Sequence, residues 1–176
     1  MEANIKKIGV NQGLTLGLIL ATITILVYAV AQNLATEWYI NLSVFILVVI
    51  FGIVASVKSR KAVGGFISFK DAFIPFFITV VIGIAINTVI SIIIYNFIDP
   101  DAAQAIQEQI MISTREMMEK FGAPQQSIDE AMAQMADQNS FSIGAQLQGL
   151  AMTIVFLSII GLIVAAIIKR KDPAEA

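Results

Sequence analysis

Four long apolar runs decide what this chain can fold into. They cover residues 8–31, 40–57, 72–98 and 146–168. Each is close to the roughly 20 predominantly apolar residues that a helix needs to cross about 30 Å of hydrocarbon. Within lipid the backbone has no water to bond with, and a helix satisfies its hydrogen bonds within one segment. We therefore predict an all-α, polytopic membrane protein with four transmembrane helices, in which residues 1–176 form a single membrane domain.

The amino-acid composition limits which functions the chain can have. Of the 176 residues, 57% are apolar and 14% are charged, whereas soluble domains have about 45–50% and about 25%. The chain contains no cysteine and no histidine, which removes thiol nucleophiles, imidazole bases and the common zinc ligands. We therefore expect no enzymatic activity, no cofactor, no metal site and no nucleic-acid partner.

The basic residues indicate how the spans are oriented. Cytoplasmic loops of membrane proteins carry an excess of Lys and Arg. Only Arg115 and Lys120 fall on one side of the predicted spans, and the other basic residues fall on the opposite side: Lys6, Lys7, Lys58, Arg60, Lys61, Lys70, Lys169, Arg170 and Lys171. We predict a multi-pass protein of the cytoplasmic (inner) membrane with both termini cytoplasmic. The first run exceeds the roughly 7–15 apolar residues of a signal peptide, so we expect it to be retained as a span.

The segment between the third and fourth spans, residues 99–141, is polar but patterned. Asp99 and Pro100 are a helix-start signal, and Gly122 followed by Pro124 is a stop signal. A capping box from Ser127 to Glu130 predicts the start of a second helix. We therefore predict an extracytoplasmic amphipathic helical hairpin in this outer helical insert.

Apolar residues recur at helical spacing along both predicted hairpin helices. The candidate contact face consists of Ile106, Ile110, Met117, Phe121, Met132 and Met135. Methionine sulfur is a soft ligand that suits Cu(I), but without His or Cys we prefer its other role as adaptable apolar filling at contact surfaces. We expect this face to lie on the membrane or on a partner protein.

Small residues mark candidate helix-packing surfaces. Gly9, Gly13 and Gly17 recur every four residues along the first span, and further glycines occur at Gly52, Gly149 and Gly161. Such positions let two helix backbones approach closely. The pattern is compatible with packing inside the chain and with contact between copies in a homo-oligomer.

The third span carries a candidate polar strip of Thr79, Asn87, Ser91 and Tyr95. An unpaired amide near the middle of a bilayer is costly, so Asn87 must face protein or water. One interpretation is an interhelical hydrogen bond to a hydroxyl such as Thr22 or Thr153. The other is a substrate path. The central parts of the spans lack charged residues, which disfavours an ion-coupled pump.

The start of the third span also has a capping signal. Ser68 and Asp71 have capping-box spacing, and a carboxylate in the first turn complements the helix dipole. We therefore interpret Asp71 as a capping residue and not as a proton carrier.

Residues 66–73 (FISFKDAF), residues 94–100 (IYNFIDP), the polar helical insert and the basic tail 169–171 carry a resemblance. The chain resembles the family called domain of unknown function 4199, small four-span inner-membrane proteins of Gram-negative bacteria. The resemblance covers nearly the whole chain and brings no established activity or site residue. It implies an accessory role near glycosyltransferases that use lipid-linked sugars.

These observations favour an accessory or scaffold protein that acts through protein or lipid contacts. The spans suit helix packing, and the methionine-rich hairpin suits adaptable contact. Its expected partners are the lipid bilayer and a membrane protein or further copies of the chain. The alternative is a small oligomeric transporter or lipid flippase lined by the polar strip.

Overall fold

The computed structural model describes residues 2–30 and 37–170, and those residues form helices without a β-strand. The elements in chain order are α1 (Glu2–Val30), α2 (Trp38–Ala62), α3 (Phe69–Ile93), a π-helical turn (Ile94–Ile98), α4 (Pro100–Lys120), α5 (Gln125–Ala136) and α6 (Ile143–Ile168). The predicted all-α fold is therefore confirmed.

Four of these helices are long and apolar enough to cross a membrane: α1, α2, α3 with its π-helical turn, and α6. The shortest, α2, has 25 residues and is about 38 Å long at 1.5 Å per residue, which exceeds the roughly 30 Å of a hydrocarbon core. The helices start or end up to six residues outside the predicted spans. Ala31 and Lys171, which belong to the predicted first span and basic tail, lie outside the described residues.

The four long helices define two ends of a bundle. At the basic end α1 and α3 begin, α2 and α6 end, and the helix termini carry Lys and Arg residues. At the hairpin end α3 continues into the π-helical turn and then into α4 and α5. At the basic end, an isolated antiparallel bridge joins Ile67 in the α2–α3 connection to Arg170, two residues after α6.

Helix α3 is the centre of the bundle. It packs against α1, α2 and α6, whereas α1 and α6 lie on opposite sides of the α2–α3 pair. Phe76 on α3 is fully buried, and its ring lies against Gly52 of α2 and Gly161 of α6. The two glycines leave the space that the ring occupies, so this side chain joins three helices.

The glycines of α1 form a second contact. Cβ atoms placed on Gly9, Gly13 and Gly17 would lie within 3.0 Å of atoms of Ile78, Ile82 and Ile86 of α3. The three glycines therefore allow α1 and α3 to approach closely within the chain. Gly149 differs, because it is exposed and no atom of the described residues lies within 4 Å of its Cβ position. Of the two alternatives, packing inside the chain therefore does not apply to Gly149, and contact between copies stays a prediction.

Local sequence signals set several helix ends. Ser68 Oγ accepts a hydrogen bond from Asp71 N at 3.1 Å and donates one to the Asp71 carboxylate at 2.7 Å, which confirms the predicted cap of α3. Asp99 caps α4 in the same way, with Pro100 in the first turn. Gly122 ends α4 with a φ of +72°, a conformation in which L side chains are strained.

The predicted capping box at Ser127 is wrong. Helix α5 already begins at Gln125, directly after Pro124, and no side chain caps it. A proline before a helix has a fixed φ, and it sets the start three residues earlier than an N-cap at Ser127 would. The fully buried Ile128 and the Arg115–Asp129 ion pair of 3.6 Å place α5 on α4.

Candidate functional site

The junction between bundle and hairpin is held by Asp99. One carboxylate oxygen accepts the Ala102 N–H at 3.0 Å, and the other accepts the Tyr28 hydroxyl at 3.0 Å. The first contact sets the start of α4, and the second ties that start to the last turn of α1. The direction of α4 across the hairpin end therefore depends on a side chain from a different span.

An aromatic cluster supports the same junction. Tyr95, in the π-helical turn, is only 7% exposed. Its ring lies edge-on to Tyr28 at 6.3 Å and against Phe141 at 4.8 Å. Ala102, Ala103 and Ile106 of α4 complete this core. Ring contacts of this kind are worth roughly 0.5–1.5 kcal/mol each beyond their buried area. The first half of α4 packs on this aromatic cluster through its three buried residues.

Because of this packing, some residues of the predicted contact face are buried and others are exposed. Ile106 is 5% exposed and Ile110 packs against the same aromatic cluster, so both face the bundle and not a partner. Met117 and Phe121 are 53% and 86% exposed. Met132 and Met135 of α5 are half-buried. The exposed part of the face therefore belongs to the second half of α4.

The exposed half of α4 forms one wall of a groove. The other wall is Glu37 and Trp38 at the start of α2, and the groove volume is about 710 Å³. Trp38 is 72% exposed at the end of an apolar helix, and tryptophan favours the membrane–water interface. We therefore expect the groove, with Met117 and Phe121 in its wall, to lie near the depth of the lipid head groups.

The residues of the polar strip also have two different roles in the structure. Thr79 is fully buried and donates to the backbone oxygens of Gly9 at 3.1 Å and Pro75 at 2.7 Å. Asn87 accepts a hydrogen bond from the Thr24 hydroxyl at 2.8 Å. The interhelical bond of Asn87 is confirmed, but the proposed partners Thr22 and Thr153 are wrong. These two strip residues join α3 to α1.

The other strip residues, Ser91 and Tyr95, line a cavity of about 260 Å³, here called the interhelical cavity. Its walls come from α1, α2, α3 and the first half of α4. The lining consists of Ile23, Thr24, Val27, Ile40, Asn41, Ser91, Tyr95, Ile106, Ile110 and Phe141. The structure thus brings together part of the polar strip and part of the predicted contact face in one site.

Sequence reasoning missed the α1 side of this site. Thr24 and Tyr28 lie four residues apart, so they share one face of α1, where Thr24 bonds to Asn87 and Tyr28 to Asp99. Two hydroxyls at this spacing in an apolar helix were the available signal. The described residues contain no cluster of three Asp and Glu side chains that could bind a metal ion.

The sequence of the chain matches one family of proteins. A family model described as "Protein of unknown function (DUF4199)" matches residues 11–170, which is nearly the whole chain. No curated protein and no solved structure matches the chain. The four membrane-crossing helices and this match identify the chain as a member of the DUF4199 family of proteins of unknown function.

Proposed function

We propose that this integral membrane protein is a non-enzymatic accessory or scaffold protein that acts through the second half of α4. The observation that carries the proposal is the contrast along this helix. Ala102, Ala103 and Ile106 are buried against the bundle, whereas Met117 and Phe121, which line the groove beside Trp38, are each more than half exposed. An apolar surface on a helix that is fixed at its other end is typical of a docking surface.

The chemistry of the surface suits a membrane-embedded or membrane-bound partner. Methionine adapts its shape to a contact, and aromatic side chains are enriched at interfaces. Because the groove beside Trp38 lies at headgroup depth, a membrane protein can reach it without leaving the bilayer. A glycosyltransferase that uses lipid-linked sugars is one partner of this kind, and a second copy of the chain is another.

We infer the orientation from charge. Eight basic residues lie at the basic end of the described bundle, and Arg115 and Lys120 lie on the hairpin. The excess of Lys and Arg favours the cytoplasm, so the proposal places both termini in the cytoplasm, in the inner membrane, with the hairpin outside.

The alternative, a small oligomeric transporter or lipid flippase, has less support. Two of its four lining residues, Thr79 and Asn87, make hydrogen bonds to α1. Side chains that join two helices in this way act in packing. The accessory function therefore fits the geometry better.

The substitution Met117→Glu tests the accessory function. Met117 is 53% exposed, so the change places a charge on the proposed surface without filling a buried site. Burying an unpaired carboxylate at an interface costs enough to weaken the contact at least about tenfold. We expect partner capture from gently solubilised membranes to fall accordingly, while membrane insertion stays normal.

The matched control is Gln134→Glu, which adds the same charge at an exposed position of α5. It should leave capture unchanged. Equal capture by the Met117→Glu variant and the unmodified protein would show that the exposed half of α4 is not the contact surface.

A further inference from the structure

All described residues that line the interhelical cavity are neutral. Thr24, Asn41, Ser91 and Tyr95 supply hydroxyl and amide groups from three different helices, and the rest of the lining is apolar. A cavity with mostly apolar walls and a few converging polar groups is the usual form of a ligand site. Packing alone does not require an open volume of about 260 Å³ beside α4.

The Tyr95 hydroxyl is the second observation. Tyr95 is 93% buried, its ring is held between Tyr28 and Phe141, and it lines the cavity. Unlike Tyr28, whose hydroxyl donates to Asp99, it makes no hydrogen bond to any part of the chain that the structure describes. The hydroxyl is not among the fully buried unpaired polar atoms of the described residues. It therefore remains accessible and can donate a hydrogen bond to a ligand in the cavity.

The lining also decides the charge of the ligand. A phosphate or ammonium group in the cavity would face no opposite charge, and burying an unpaired charge is strongly unfavourable. Hydroxyl and ester oxygens of a ligand can accept from Ser91 and Tyr95, and a ligand hydroxyl can donate to Thr24, whose own proton goes to Asn87. The ligand is therefore an uncharged molecule with hydroxyl or ester oxygens.

The size and position of the cavity indicate which part of the ligand it binds. Sites that enclose a drug-sized ligand measure about 300–1,000 Å³, so a cavity of about 260 Å³ encloses only part of a larger molecule. It lies between the hairpin-end turns of α1, α2 and α3, at the depth where lipid head groups meet acyl chains. We propose that the interhelical cavity binds the glycerol head of an uncharged glycerolipid such as diacylglycerol, whose chains remain in the bilayer.

Photolabelling of the full chain in phosphatidylcholine vesicles tests this site. The probe is a diacylglycerol with a photoreactive group on an acyl chain near the glycerol. We expect saturable labelling of peptides from the hairpin end of the bundle. Unlabelled diacylglycerol should compete, whereas phosphatidic acid with the same chains should not. Competition by free glycerol alone would contradict a lipid ligand.

The substitution Tyr95→Phe removes the hydroxyl and keeps the ring contacts. A lost hydrogen bond of ordinary strength should weaken saturable labelling about three- to tenfold. Tyr39→Phe is the matched control, because Tyr39 is exposed at the same end of α2 and lies outside the cavity lining. It should label like the unmodified protein.

A second variant keeps the test decisive if Tyr95→Phe disturbs the fold. Ser91→Leu fills the cavity from the half-buried Ser91 position, and it should abolish saturable labelling. Full labelling of this variant, or equal competition by phosphatidic acid, would overturn the site. The site does not depend on the proposed partner contact, so partner capture by the Met117→Glu variant is a separate result.

Discussion

Replacing Phe76 with alanine is expected to lower the free energy of unfolding by about 3–5 kcal/mol. Phe76 is fully buried, and its ring lies against Gly52 and Gly161. Because glycines have no side chains that could move into the space, the cavity left by the ring cannot collapse. Within lipid, helix association depends on close packing more than on removal of apolar surface from water. Denaturation by SDS in mixed micelles, followed by circular dichroism, measures the loss.

Phe77→Ala is the control for this prediction. Phe77 is the next residue on α3, is 37% exposed, and stacks on Phe73 of its own helix at 5.6 Å. Its removal leaves no enclosed cavity, and we expect a loss below about 1 kcal/mol. Equal losses for the two variants would contradict the central position of Phe76 between three helices.

Replacing Gly13 with leucine is expected to disrupt the packing of α1 on α3. A Cβ atom at Gly13 would lie 2.8 Å from Cβ of Ile82. The Ile82 atom is attached directly to the backbone, so a change of side-chain rotamer cannot move it away. The two helices must separate, at a cost of about 3 kcal/mol or more, since overpacking typically costs about 1–3 kcal/mol even for smaller insertions. The same SDS titration measures this loss.

Gly149→Leu is its control, because Gly149 is also a helical glycine but has open space at its Cβ position. Stability should change by less than about 1 kcal/mol, since leucine also has the better helix propensity. Loss of self-association in this variant would instead assign Gly149 to contact between copies. If Gly13→Leu proved as stable as the unmodified protein, close packing of α1 on α3 would be wrong.

The spans and the hairpin were predictable from the sequence because they depend on local signals. Run length identified four membrane-crossing helices. Asp99 with Pro100, Ser68 with Asp71, and Gly122 each set a helix end by hydrogen bonds or backbone conformation within a few residues. The Ser127 box failed where two local signals competed, since Pro124 sets an earlier start.

The relative rotation of the helices was not predictable from one sequence. The bond from Thr24 to Asn87 joins residues 63 positions apart, and nothing local distinguishes Thr24 from Thr22 or Thr153 as the partner. The same holds for Gly149, because its sequence context does not show whether it faces another helix of the chain or another copy. Small residues indicate that a helix can pack closely, but the three-dimensional arrangement decides which of them face another helix.

The residues of the candidate site were predicted as two separate groups, and only the fold brings the two groups together. Ser91 and Tyr95 were identified as polar residues of a span, and Ile106 and Ile110 as apolar residues of the hairpin. The π-helical turn and the Asp99–Tyr28 bond direct α4 back across the bundle, so that all four line the interhelical cavity. The direction of α4 carries no sequence signal of its own.

Cysteine labelling tests the central claim, that a four-helix bundle crosses the membrane and holds the hairpin on the side opposite the basic end. The chain has no cysteine, so one introduced thiol reports one position. Gln126→Cys lies in α5 and Lys61→Cys near the end of α2, both at exposed positions.

In intact cells, a maleimide that can pass the outer membrane but cannot cross the inner membrane should label the Gln126→Cys variant directly. It should label the Lys61→Cys variant only after the inner membrane is permeabilised. Labelling of both variants from the same side would contradict the account.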